Sequence, residues 1–264
     1  MLSRPGAHGF TVVELLVGLV VGLLVVMAAG AIYVTSVQAK AESLRGARLN
    51  QEVRGLLAGM APDIRRAGYW GGAVSGGSAA GLAASSGASH PFMGTGGNLA
   101  IHDDGRCVLF SYDADRNGDG AVSADEVFGY RLAPAGGAVE MLTPGTLSAT
   151  NADCEAGDWS RVTTADSAVI ESLDFSTAGS QCINTTRASS WTVIAPTYRG
   201  PPCAAAASDV AISTGTYAAP VALDLLAEVR RVTITLRARH RADPRVAVIV
   251  EEALRLPNNR VYRR

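Results

Sequence analysis

Asp115, Asn117 and Asp119 stand two residues apart, Gly120 follows, and Ser123 and Glu126 lie further along the same run. This is the spacing of an EF-hand loop, with side-chain oxygens at positions 1, 3, 5, 9 and 12. A glycine makes the sharp turn at position 6, and the Ala121 carbonyl stands at position 7. Ca²⁺ takes about six to eight hard oxygens, and this series wraps them round one centre. Asp113 lies just outside the series, placed to join or replace a ligand. The flanks, 108–112 and 127–132, are rich in β-branched and aromatic residues and read as strands. The expectation is a structural Ca²⁺ between two strands, held by Asp115, Asn117, Asp119, Ala121, Ser123 and Glu126. The alternative is an Asp- and Gly-rich hairpin that binds no ion.

A second carboxylate is conspicuous for its surroundings. From Phe10 to Val34 the only charge is Glu14, and about 20 apolar residues cross a bilayer as a helix. An ionisable group inside such a span is costly and points to function. Cleavage between Gly9 and Phe10 would put a new amine one helical turn from Glu14. The two groups could then pair between neighbouring subunits in lipid. The alternative is that Glu14 rests at the lipid interface, favoured there by the helix dipole. The apolar run exceeds the roughly 7–15 residues of a secretory signal core. Arg4 before the span keeps 1–9 in the cytoplasm and sets the remainder outside the inner membrane. In that compartment Cys107, Cys154, Cys182 and Cys203 are expected to form two disulfides. Three pairings are open, of which Cys107–Cys154 with Cys182–Cys203 requires the least long-range order.

Composition limits the remaining choices. Hydrophobic residues make up 48% of the 264, which excludes a wholly disordered chain. Basic and acidic residues nearly cancel, 23 against 24, which excludes a uniformly basic nucleic-acid binder. Arg230, Arg231, Arg237, Arg239, Arg241 and Arg245 do cluster. They read as outward-facing strand positions, with DNA contact as the lesser alternative because interleaved aromatics are missing. His90, His102 and His240 lie in no metal or nucleophile motif, and the expectation is that the chain is not an enzyme.

The elements that must position these groups follow from periodicity. Val53, Leu56, Leu57, Met60 and Ile64 recur every three to four residues, so helix is expected over 11–66, with Pro62 near its end. Residues 71–97 are rich in Gly, Ala and Ser and read as a surface loop. Beyond them, 107–112, 127–132, 191–195 and 245–256 read as strands, and Val232, Ile234 and Leu236 alternate with polar residues. The expected architecture is α+β, with a long N-terminal helix packed on an antiparallel β-sheet domain.

The run Gly9-Phe10-Thr11-Val12-Val13-Glu14-Leu15-Leu16-Val17 resembles the N-terminal signal of type IV pilins and pseudopilins. The resemblance implies that a prepilin peptidase cuts after Gly9 and methylates Phe10, and that Glu14 guides subunit assembly. It also implies a leader at 1–9, a transmembrane and assembly helix at 10–34 and its continuation at 35–66. A pilin-like globular domain would occupy 67–264. The run Arg65-Arg66-Ala67-Gly68-Tyr69-Trp70-Gly71 and the closing Leu254-Arg255-Leu256-Pro257-Asn258-Asn259-Arg260 resemble the PilW family of minor pilins. Gly72 stands where that family often has a cysteine, which puts any family disulfide from that position in doubt. The implied function is a structural subunit of a type IV pilus tip or initiation complex, promoting assembly and thereby motility or adhesion. Its partners would be the other minor pilins, the major pilin and a large tip adhesin. The chain would reside in the inner membrane before assembly and on the pilus afterwards. Two alternatives stand beside it: a minor pseudopilin of type II secretion, and a membrane-anchored calcium-dependent binding module that never polymerises.

Overall fold

The computed structural model describes residues 11–71, 90–94, 96–117, 119–163, 168–205, 210–211 and 217–264. Gly9 and Phe10, and most of the loop expected at 71–97, lie outside the described residues. The chain divides into two units, Met1–Ala47 and Arg48–Arg264.

In the first unit every residue from Thr11 to Lys40 is exposed and helical from Val12 onward. By length and composition this helix, α1 (Val12–Arg65), is able to cross a membrane. Leu, Val and Ala occupy all of its faces here, as expected of a helix with lipid on every side.

In the second unit the same helix becomes one-sided. Leu49, Val53, Leu57, Met60, Ala61 and Ile64 are each at most 2% exposed, and their spacing keeps them on one face. The strands, in chain order, are β1 (Ala100–His102), β2 (Cys107–Ser111), β3 (Val127–Leu132), β4 (Val139–Leu142), β5 (Trp159–Arg161), β6 (Ala168–Ser176) and β7 (Gln181–Asn184). They continue as β8 (Ser189–Val193), β9 (Val210–Ala211), β10 (Leu225–Val229), β11 (Arg231–His240), β12 (Ala247–Arg255) and β13 (Arg260–Arg263). The described strands form three sheets, ordered β1-β2-β3-β4-β5, β12-β11-β6 and β13-β10-β7-β8-β9. Each pairing is antiparallel. The α+β arrangement expected from the sequence is therefore present, with its strands divided among sheets.

The helix packs on the first two sheets. Its buried face shares a core with Val108 and Phe110 of β2, Leu173 and Phe175 of β6, and Val232, Ile234 and Leu236 of β11. Alternation puts the three β11 residues inside and Thr233, Thr235 and Arg237 on the opposite face. All five residues of β2 are buried. Its even-numbered side chains join the helix core, while Cys107 and Leu109 enter a second cluster with Leu142, Leu147 and Cys154.

Candidate functional site

α1 ends at Arg65 and the chain turns at once. Gly68 has φ +76°, and a Cβ there would stand 2.8 Å from Arg230 Nη2 and 3.0 Å from Met93 Cε. Conformation and space both demand glycine. The turn is then tied to the first sheet through backbone and side-chain hydrogen bonds. Gly68 N–H donates to Ser111 O at 2.8 Å and Asp113 N–H to Tyr69 O at 2.9 Å. Gly71 N–H donates to Asp113 Oδ2 at 2.9 Å.

The far side of the turn is held by residues near the C-terminus. Arg230 Nη2 donates to Asn258 O at 2.7 Å and to Ala67 O at 3.4 Å, and its Nη1 to Asn98 Oδ1 at 2.6 Å. Asn258 Nδ2 donates to Ala67 O at 3.2 Å. Burial pulls the Arg230 guanidinium down to about 10, against the supporting charge of Glu228, so it stays cationic at neutral pH. The runs 65–71 and 254–260, distant in sequence, thus meet around one buried arginine. Tyr130 anchors the last helical turn by donating to Asp63 Oδ2 at 2.8 Å. Burial, and then the Asp63 carboxylate, push its phenol well above the ordinary value.

The carboxylate loop opens from this junction, since Asp113 belongs to both. Asp113 is 2% exposed and Glu126 1%. Asp113, Asp115 and Glu126 each bring a carboxylate oxygen within 4.8 Å of the others. Asp113 Oδ1 and Glu126 Oε1 are buried and make no hydrogen bond among the described residues. The other sequence-expected ligands are engaged within the loop. Asn117 Nδ2 donates to Asp115 Oδ2 at 2.8 Å and to Asp119 Oδ2 at 3.1 Å. Ala121 N–H donates to Asp119 Oδ1 at 2.9 Å. Ser123 donates from its N–H and its hydroxyl to Glu126 Oε2, at 2.9 and 2.8 Å. Ser123-x-x-Glu126 is thus a capping box as well as loop positions 9 and 12, a double meaning legible in the S-x-x-E spacing. Gly120 makes the loop's turn with φ +75°, facing Trp70.

Glu14 has a local partner that its place in an apolar span had obscured. Its Oε2 accepts from Thr11 N–H and Thr11 Oγ1, both at 3.0 Å, while Glu14 N–H donates to Thr11 Oγ1 at 3.3 Å. Thr11-x-x-Glu14 is a second capping-box signature, and it starts the helix at Val12, just beyond the expected cleavage point. The four cysteines are bonded as Cys107–Cys154 and Cys182–Cys203. The first bond ties β2 to the segment following β4, and the second ties β7 to the turn before β9. The arginine cluster is divided: Arg230 is buried, while Arg237 and Arg239 share Glu171 at 2.8 and 3.1 Å.

The family model described as prepilin peptidase-dependent protein B matches residues 42–256. The match begins beyond the apolar run, so it stands independently of Gly9, Phe10 and Glu14. It takes in the packed part of α1, the carboxylate loop and all four cysteines. No curated protein and no solved structure matches the chain.

Proposed function

The chain belongs to the prepilin peptidase-dependent protein B family, and from that premise we propose that it is a minor pilin. It serves as a structural subunit of a type IV pilus tip or initiation complex, promoting assembly and thereby motility or adhesion. One observation carries this reading: a family-matched domain follows an apolar run whose sequence opens with Gly9-Phe10 and Glu14. The helix is long enough to anchor the unassembled chain. The paired runs 65–71 and 254–260 support the finer assignment to the PilW type. Prepilin peptidase is the first partner, and other minor pilins, the major pilin and a tip adhesin are those met in assembly. The unassembled chain sits in the inner membrane with its C-terminal domain in the periplasm. The role is structural and requires no catalysis.

The N-terminal signal is shared with minor pseudopilins of type II secretion, so the test carries an arm for each. Mass spectrometry of the membrane fraction should find a chain beginning at Phe10 with a methylated amine. An intact Met1, or a start near Ala41, overturns the reading. Deletion of the protein should lower surface pilus number and leave protein secretion intact, and the reverse outcome assigns it to secretion. Glu14→Ala should leave the protein in the membrane at normal level but reduce piliation, because the carboxylate partner of the Phe10 amine is gone.

A further inference from the structure

We propose that Asp113, Asp115 and Glu126 bind one Ca²⁺, and that this ion fastens the end of the long helix to the first sheet. The twelve-residue spacing alone places the centre among 115–126. The structure moves it toward the junction, because Asp113 brings an oxygen into the same 4.8 Å group as Asp115 and Glu126 and Asp119 stands outside that group.

Three observations converge on a cation. Three carboxylates lie with oxygens mutually within 4.8 Å, the separation that ligands at roughly 2.3–2.6 Å from one ion impose. Two of them are buried, and without an ion each would hold a desolvated negative charge beside the other. Each of these two also has one oxygen satisfied and one unsatisfied. Asp113 Oδ2 takes Gly71 N–H and Glu126 Oε2 takes Ser123, whereas Asp113 Oδ1 and Glu126 Oε1 have no hydrogen-bond partner among the described residues. The satisfied oxygens fix the carboxylates in place, and the unsatisfied ones are left for a ligand.

The donor set selects the ion. All three side chains offer hard oxygen, and neither imidazole nor thiolate takes part, which disfavours zinc and other softer metals. Mg²⁺ demands near-ideal octahedral geometry, whereas Ca²⁺ accepts an irregular shell completed by water and loop carbonyls. The mechanical consequence follows from Asp113. This ligand also binds the turn at Tyr69 and Gly71 through its N–H and Oδ2, so loading the site holds the helix end. Removing the ion leaves three carboxylates to repel one another and loosens the loop and the 69–71 turn together. Trp70 lies against this loop, with its ring 3.9 Å from where a Gly120 Cβ would stand, and is a built-in reporter.

The full chain, extracted in detergent and stripped with chelator, is titrated with Ca²⁺ by calorimetry while tryptophan fluorescence is followed. One Ca²⁺ per chain should bind, at micromolar to about millimolar affinity, with a fluorescence change at the same midpoint. Asp115→Asn and Glu126→Gln should each weaken binding by about 10-fold or more, while Asp125→Asn leaves it unchanged. Asp115 is exposed, so its variant also tests the site without disturbing the core. Absence of binding at about 5 mM Ca²⁺, above the range of extracellular calcium modules, overturns the proposal. So does binding of Mg²⁺ as tight as that of Ca²⁺, or binding that survives both Asp115→Asn and Glu126→Gln.

Discussion

His90 shows how an enclosure sets the chemistry of a side chain. Its ring lies edge-on to Trp70 at 5.2 Å, its Nδ1 is buried without a partner among the described residues, and Phe92 adjoins it. Burial, and then the charge of Arg230, pull its pKa from 6.5 down to about 4. The folded protein thus holds the ring neutral where the unfolded chain would already accept a proton. This contribution to stability is complete above pH 6.5 and is lost as pH falls toward 4. The expected loss between pH 7 and pH 5 is about 2 kcal/mol. Denaturant unfolding of the full chain in detergent at both pH values measures it. His90→Gln should flatten the dependence over that interval, and an equally steep fall in the variant would exclude His90 as its source. No motif marked His90 in the sequence, because the cause is the enclosure built by Trp70, Phe92 and Arg230.

At the scale of the element, α1 performs two tasks with one regular backbone. Between Thr11 and Lys40 its side chains are exposed on every face; from Leu49 to Ile64 one face is sealed against sheets. The same residue type should therefore respond differently in the two parts. Leu57 is 2% exposed in the core and Leu24 57% exposed in the apolar span. Leu57→Ala should cost the folded domain about 3 kcal/mol, from lost burial and the cavity left behind. Leu24→Ala should leave the unfolding midpoint of the domain unchanged. Denaturant unfolding in detergent, followed by near-ultraviolet circular dichroism, distinguishes them. The strands show the other side of the same physics. β11 is long and alternates cleanly, so it was legible. β9 is only two residues long, and β6 shifts register where it meets Arg237 and Ala238 of β11, which blurs the period of two.

For the whole molecule, the two disulfides close loops of different size, with partners 47 and 21 residues apart. In the chain-entropy description the longer loop contributes about 4 kcal/mol and the shorter about 3 kcal/mol, by restricting the unfolded state. Cys107→Ala with Cys154→Ala should therefore lower the unfolding midpoint more than Cys182→Ala with Cys203→Ala. Reductant should lower the midpoint of the parent protein and leave that of the four-alanine variant unchanged. The first bond also joins β2, whose two faces serve separate core clusters. Its removal should thus be felt on both sides of that strand, as faster amide exchange in β2 and β3.

What the sequence determined by itself was local and periodic. The apolar run, the helical face from Leu49 to Ile64, the alternation of β11 and the oxygen spacing from Asp115 to Glu126 depend on neighbours a few residues away. Backbone geometry converts such spacings directly into faces. The tertiary structure decided what required distant residues to meet. It divided the described strands into three sheets and brought Arg66, Ala67 and Asn258 together around buried Arg230. It also drew Asp113 into the carboxylate group by binding it to Tyr69 and Gly71. The physical reason is common to these cases. A buried polar group must find its partners wherever the fold supplies them, and no spacing along the chain records which distant carbonyl, guanidinium or carboxylate that will be.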